Sequence, residues 1–263
     1  MIKSLGSLKH RELKEIALAG LPQVIPVSDY ALAKAFKINE LVRLIHGRSY
    51  EWYGYTIAAE KDPKTILDIG LPQNDDNFHH YTGIDPERIA DFQESLSEDE
   101  VINGWIHSHG NLGFKQFSKT DENNHLTVLH YVTASLRKPV AKREVAIKDL
   151  ALLVGDSYSG EELERGSVTL LTDVAVKRAT IMEAVYGGFS YGIVIGDEGW
   201  SEQEIHTIRR GILTGHTRVG RKKAALRLMK SERRLSESDI AMLAHQVKEK
   251  IRPMRRAKPV TDP

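Results

Sequence analysis

One segment constrains the fold more than any other, because strand, turn and helix signals follow one another between residues 101 and 136. An apolar run over 101–108 predicts a strand, and Gly110 and Gly113 lie in the loop after it. Ser118 is a favourable N-cap residue and predicts a helix that continues to about residue 136. The glycine-containing loop lets the chain turn back, so the start of the helix can face the end of the strand.

Three side chains that can bind a metal ion lie at this junction. His107 and His109 are two residues apart on the predicted strand, so their imidazoles share a face and can converge on one point. Asp121 lies in the first turn of the predicted helix. Two neutral imidazoles and one carboxylate are a common catalytic zinc set with a fourth position for water. The simpler alternative is two surface histidines and an aspartate favoured by the helix dipole.

The absence of cysteine narrows the chemistry of such a site. It excludes a disulfide scaffold, a cysteine nucleophile, an iron–sulfur cluster and a thiolate zinc site, so His, Asp or Glu must hold any metal. No apolar run reaches the roughly 18 residues of a membrane-spanning helix. The N-terminal sequence is too charged for a signal peptide. We therefore expect a cytoplasmic protein without a membrane partner.

The remaining pattern predicts an α/β (α+β mixed) fold with a central mixed β-sheet flanked by helices. Predicted helices cover 7–19, 29–45, 85–96, 118–136, 221–230 and 237–250. Predicted strands cover 24–27, 50–58, 65–71, 101–108, 145–154, 167–176 and 191–195. The polar stretch 72–83, which contains His79 and His80, is predicted to be a loop.

Charge divides the chain into two parts of opposite sign. Residues 201–263 carry 16 Lys and Arg against 7 Asp and Glu, or +9, and residues 1–200 carry −8. This division predicts a folded acidic body followed by a basic helical C-terminal extension over 201–263. Residues 1–23, which contain the predicted helix over 7–19, are predicted to be an N-terminal helical extension. The end of that extension contains Pro253 and Pro259 and is predicted to be disordered.

The basic extension allows three interpretations. It can be a solvated helical appendage, a surface for self-association or for an acidic partner, including the chain's own acidic body, or a nucleic-acid contact. Residues 201–263 contain no Tyr or Phe, so base stacking is not supported.

The segment from Gly104 to Asp121 resembles the JAB/MPN metalloprotease family, also called JAMM. The family pattern is His-Ser/Thr-His followed by Ser-x-x-Asp, which His107-Ser-His109 and Ser118-x-x-Asp121 match. The family also has an upstream Glu followed by x-x-Gly, which Glu51-Trp-Tyr-Gly matches. The resemblance covers about residues 24–155. It departs from the family in an eight-residue rather than seven-residue loop over 110–117, and in Gly110, where Pro is common.

This resemblance implies an MPN/JAB-like domain over 24–200 that holds Zn²⁺ through His107, His109 and Asp121. It implies that Glu51 moves the proton and that the Ser118 hydroxyl stabilises the oxyanion. The implied activity is that of a zinc-dependent isopeptidase, which cleaves ubiquitin or a ubiquitin-like modifier after its C-terminal Gly-Gly. The loop over 72–83 is then a candidate substrate grip. A catalytically silent MPN scaffold in a protein complex is the alternative.

Overall fold

The computed structural model describes residues 14–77, 84–148 and 178–253. These residues form a mixed α/β structure with four helices and a central eight-stranded sheet that contains parallel and antiparallel pairs. The predicted fold class, a central mixed sheet flanked by helices, is confirmed at this level.

The helices are α1 (Asp29–His46), α2 (Pro86–Glu94), α3 (Lys119–Leu136) and α4 (Glu237–Lys250). The first six strands are β1 (Glu15–Ala17), β2 (Ile25–Ser28), β3 (Trp52–Ala59), β4 (Asp68–Gly70), β5 (Asn74–Asn77) and β6 (Glu100–Ser108). They are followed by β7 (Lys138–Lys148), β8 (Arg178–Ile195), β9 (Ser201–Gly211), β10 (Thr217–Lys223), β11 (Leu226–Met229) and β12 (Ile251–Pro253).

Strand β6 lies inside the central sheet, where it pairs antiparallel with β3 and parallel with β8. The strands β1, β7, β8, β6, β3 and β4 follow one another in that order, while β9 pairs with β8 and β10 with β9. Two short parallel pairs lie outside this sheet, β11 with β2 and β12 with β5. Hydrogen bonds on both sides of β6 fix the register of the strand that carries His107.

Helices cover both faces of the sheet. Buried residues of α1 and α4 form one apolar cluster with Trp52 and Ile106, whereas buried residues of α2 and α3 form a second cluster with Tyr53 and Trp105. Neighbouring side chains on a strand point to opposite faces. Strand β6 therefore presents Trp105 and His107 to the α3 side, and Ile106 and Ser108 to the α1 side.

The prediction of helix over 201–230 is wrong, because this region forms β9, β10 and β11. Strand pairing determines the structure of this region. Strand β9 pairs antiparallel with β8 from Ser201 to Gly211, and its residue Ile205 is buried in the core. Arg and Lys are good helix formers, but tertiary pairing overrides such weak local preferences. The predicted helix over 237–250 is confirmed as α4, which packs against α1.

Two other predictions need correction, and several fall outside the described residues. Residues 15–17 of the predicted helix over 7–19 form β1, which pairs with β7, and 74–77 of the predicted loop form β5. Residues 14, 18 and 19 of the predicted first helix are not helical either. The predictions that lie outside the described residues are 7–13 of that helix, His79, His80, the strand over 167–176, the end of the strand over 145–154 and the tail after 253. Among the residues described, no helix is long and apolar enough to cross a membrane.

Ion pairs join the basic C-terminal residues to the acidic remainder of the chain. Arg209 pairs with Glu15, and Arg221 pairs with Glu122 on α3. Further along, Arg233 pairs with Asp68 and Arg234 with Asp29. Part of the positive charge after residue 200 therefore meets the chain's own negative charge.

We predict that Leu243→Ala lowers the free energy of unfolding by about 2–4 kcal/mol, because the Leu243 side chain is only 4% exposed in the α1–α4 cluster. The neighbouring Met242 is 55% exposed, so Met242→Ala should change the free energy of unfolding by less than about 0.5 kcal/mol. Chemical denaturation measures both values. Equal effects of the two substitutions would contradict the packing of α4 on the core.

Candidate metal centre

The start of α3 is held by a reciprocal pair of hydrogen bonds. The Ser118 hydroxyl accepts from the Asp121 backbone N–H at 3.2 Å, and Asp121 Oδ2 accepts from the Ser118 backbone N–H at 2.6 Å. This capping box fixes the Asp121 carboxylate at the helix N-terminus, where the helix dipole also favours a negative charge. It leaves Oδ1 for a partner outside the helix.

His107, His109 and Asp121 meet at the junction of β6 and α3, as the sequence predicts. The two Nε2 atoms are 3.1 Å apart. Asp121 Oδ1 is 3.2 Å from His107 Nε2, and Oδ2 is 3.5 Å from His109 Nε2. A tetrahedral ion with bonds of about 2.0–2.1 Å holds its ligands about 3.3 Å apart. The three side chains are thus a group that could bind a metal ion, and all three residues are buried.

The protonation of the imidazoles suits metal binding. His109 Nδ1 lies 2.9 Å from the Phe114 backbone carbonyl, which can only accept, so in the neutral ring Nδ1 carries the proton and Nε2 offers its lone pair. Burial lowers the pKa of His107, which favours its neutral, ligating form. Two Nε2 lone pairs at 3.1 Å repel one another unless a proton or a cation lies between them. The donor set therefore fits a divalent metal ion.

The Asp121 carboxylate supplies the charge for this site. Burial raises its pKa, but protonated His107 and His109 rings donate from Nε2 to the carboxylate when no metal ion is bound, and this outweighs burial and holds the pKa of Asp121 well below the usual range. At His109, burial lowers the pKa, and the Asp121 carboxylate outweighs that effect and raises it. Asp121 is therefore ionised at neutral pH.

Glu51 lies beside this group at the start of β3. The last pair of the ladder joins Trp52 and Ser108, so Glu51 just before β3 and His109 just after β6 adjoin it, and the charge of Glu51 interacts with His109 and Asp121. Burial raises the pKa of Glu51 to about 7; Asp121 adds to this effect and His109 opposes it. A carboxyl group with a pKa near neutrality can accept and release a proton.

The loop between β6 and α3 explains why glycine occupies position 110. Gly110 has φ of +55°, in the left-handed region that proline cannot adopt. Its backbone N–H donates to the Ser108 hydroxyl at 2.8 Å, and that hydroxyl donates to Asn39 on α1. Ser108 thus points away from the histidines and supports the loop.

The sequence did not assign Trp105 or His125 to this centre. The Trp105 indole stacks on the His107 imidazole, with ring centroids 4.4 Å apart and planes at 9°. His125 is buried on α3 and also belongs to a second group, with Glu204 and His206, whose possible ligand atoms lie within 4.8 Å of one another. One signal for His125 was available: it lies one turn after Asp121, on the same helix face.

Comparison with protein-family models and with curated proteins gave no match.

We predict that Zn²⁺ raises the melting temperature of the metal-free protein. An ion that binds only the folded state stabilises it by about 2.7 kcal/mol at 100 times its Kd. His109→Gln and Asp121→Asn should abolish the shift, because each removes one ligand. Differential scanning fluorimetry measures the shift, and mass spectrometry of the metal content gives the stoichiometry.

The matched control is His130→Gln, since His130 lies on the same helix but is exposed. It should respond to Zn²⁺ as the wild type does. If Zn²⁺ left the melting temperature of the wild type unchanged, the result would contradict the assignment of the centre.

Proposed function

We propose that this protein is a zinc-dependent isopeptidase that cleaves ubiquitin or a ubiquitin-like modifier after its C-terminal Gly-Gly. One observation carries the proposal: His107, His109 and Asp121 converge at the spacing of a tetrahedral metal ion, with the Glu51 carboxyl beside them. A structural metal site has no need of a neighbouring carboxyl with a pKa near neutrality, whereas hydrolysis needs such a proton acceptor.

The three ligands would hold zinc with one position open. Zinc bound there polarises a carbonyl and lowers the pKa of a bound water toward about 7. Glu51 accepts a proton from the attacking water and passes it to the leaving amine, first as general base and then as general acid. The Ser118 hydroxyl accepts from the Asp121 N–H, so its own hydrogen is free to stabilise the developing oxyanion.

The substrate class rests on the JAMM resemblance of the segment that includes His107, His109, Ser118 and Asp121. An isopeptide bond to lysine and a linear C-terminal extension offer the same carbonyl after Gly-Gly, so both are proposed substrates. The exposed face of the basic region over 201–253 is a proposed surface for a protein partner or for self-association.

The direct test uses the zinc-loaded protein with isopeptide-linked ubiquitin dimers and with ubiquitin that carries a linear C-terminal extension. Gel electrophoresis follows cleavage, and mass spectrometry locates the cut. A product that ends in Gly-Gly, and that a zinc chelator suppresses, supports the proposal. Bound zinc without cleavage of either substrate would favour the silent scaffold instead.

We predict that Glu51→Gln abolishes cleavage while zinc stays bound, because the amide cannot accept the proton. In the wild type, kcat/KM should rise with pH as Glu51 ionises and then level off. Burial raises the pKa of Glu51 to about 7 and a bound cation lowers it, so the midpoint should lie at or below pH 7. Retained activity in Glu51→Gln would show that another group moves the proton.

We predict that Ser118→Ala lowers kcat by about 10²-fold, as loss of one oxyanion donor does. The same substitution removes a helix cap, which costs about 1 kcal/mol of stability. Kinetics and thermal denaturation therefore have to be measured on the same samples.

The chain offers a matched control for this prediction. Ser236 forms an identical capping box with Asp239 at the start of α4. Ser236→Ala should lose a similar amount of stability and keep full activity. An equal loss of activity in both variants would assign the Ser118 effect to stability alone.

A further inference from the structure

The two histidines of the metal centre are oriented by different means. His109 Nδ1 donates to the Phe114 carbonyl, as metal-ligating histidines usually do with their second nitrogen. His107 Nδ1 is buried and has no hydrogen-bond partner among the described residues; the nearby Ile193 backbone raises the pKa of the ring without adequate hydrogen-bond geometry. Another contact must therefore orient the His107 ring.

That contact is the parallel stack of His107 on Trp105. The indole is fully buried, with its centroid 4.4 Å from that of the imidazole and the planes 9° apart. A stacked neighbour restricts rotation of the imidazole about its side-chain bonds only if the neighbour is itself fixed. Together with the contact of Nε2 with Asp121, the orientation of Trp105 therefore helps to fix the orientation of His107.

His125 fixes the Trp105 indole. The Trp105 Nε1–H donates to His125 Nδ1 at 2.7 Å in a buried hydrogen bond. An indole nitrogen can only donate, so His125 Nδ1 is unprotonated and the neutral ring carries its proton on Nε2. Burial lowers the pKa of His125 far enough to keep the ring neutral.

The surroundings of His125 are shaped to hold its ring. A Cβ at Gly192 would lie 1.7 Å from His125 Cε1, so only glycine leaves room for the imidazole above β8. His206 stacks on the ring at 4.0 Å, and Phe117 contacts it edge-on at 4.7 Å. Three different elements thus clamp one imidazole in a single position.

The group of His125, Glu204 and His206 does not suit a second metal ion. His125 Nε2 carries a proton because Trp105 occupies Nδ1, so it has no lone pair for a metal. Burial and the positive charge of Arg221 lower the pKa of His206 to about 4, while Glu122 acts in the opposite direction. The hydrogen bond between Trp105 and His125 thus removes one of the three possible ligands of this group.

We propose that His125 is a positioning residue for the metal centre, which holds His107 in its ligating orientation through the Trp105 indole. This inference rests on the metal centre of the proposed function but not on its substrate.

The test compares zinc Kd values, measured by competition with a chelator, with the unfolding free energies of the same metal-free variants. Loss of an outer-shell partner costs about 10–100-fold in metal affinity, so His125→Leu and Trp105→Phe should each weaken zinc binding by that factor. The double variant should be no weaker than the weaker single variant, because both substitutions break the same contact. His125→Gln offers an acceptor oxygen to Trp105 and should recover most of the affinity, while His130→Leu, on the exposed side of α3, should bind as the wild type does.

A second measurement uses the metal-free wild type, so it requires no zinc and no substituted protein. Nitrogen-15 NMR of the metal-free wild type should show His125 neutral with its proton on Nε2. A proton on Nδ1, an unchanged zinc Kd in His125→Leu, additive losses in the double variant, or two zinc ions per chain would each overturn the inference.

The inference and the proposed function can fail separately. Zinc affinities that follow the expected order in a protein that cleaves no modifier would support His125 positioning and refute the isopeptidase. If the protein cleaves a modifier but substitution of His125 leaves the zinc Kd unchanged, the result would support the isopeptidase and refute His125 positioning.

Discussion

The double-sided hydrogen bonding of β6 is the constraint on which the site depends. Strand β6 pairs with β3 on one edge and β8 on the other, so its register cannot shift without breaking both ladders. A shift by one residue would move Trp105 and His107 to the α1 side and Ile106 to the α3 side. Glu51 directly precedes β3 and His109 directly follows β6, next to the last pair of the ladder, Trp52 with Ser108. One register thus sets the positions of two candidate metal ligands and the proposed proton acceptor.

The site concentrates polar groups where burial is costly. His107, His109 and Asp121 are all buried, and burial of ionisable groups is unfavourable unless they are paired or bind a metal. The capping box offsets part of this cost at Asp121, since the helix N-terminus supplies an N–H donor to the carboxylate. In the metal-free chain, a proton on one Nε2 atom, next to the Asp121 carboxylate, relieves the repulsion between the two nitrogens. A divalent cation bound to all three side chains relieves the same repulsion, so the buried donor set is a group that could bind a metal ion.

The sequence could predict what local signals determine. Ser118 as N-cap, the i, i+2 spacing of the histidines and the periodicity of α1 each act within one element, and the structure has β6, α3 and α1 close to the predicted bounds. The sequence did not predict strand β9, because β9 forms by pairing with β8 and local sequence patterns do not show that pairing. His125 was missed as part of the centre for the same reason: its contact with Trp105 joins two elements, and the space for its ring comes from Gly192 on a third. The proposed zinc preference and substrate class do not follow from these geometric relations.

The charge asymmetry of the chain has an explanation within the fold. Within residues 201–253, most of the positive residues lie on strands or on the helix α4, and pairs such as Arg209–Glu15 and Arg234–Asp29 join this region to the acidic remainder. Exposed ion pairs of this kind contribute only about 0–1 kcal/mol each, so they do not hold the region in place. The buried side chains of Ile205, Leu243 and Val247 do so by joining the same core as α1. Apolar packing thus holds the basic region against the rest of the chain, and the ion pairs add little to its stability.

A basic C-terminal sequence therefore does not by itself indicate a nucleic-acid contact, because arginines such as Arg221 and Arg233 already have carboxylate partners within the chain.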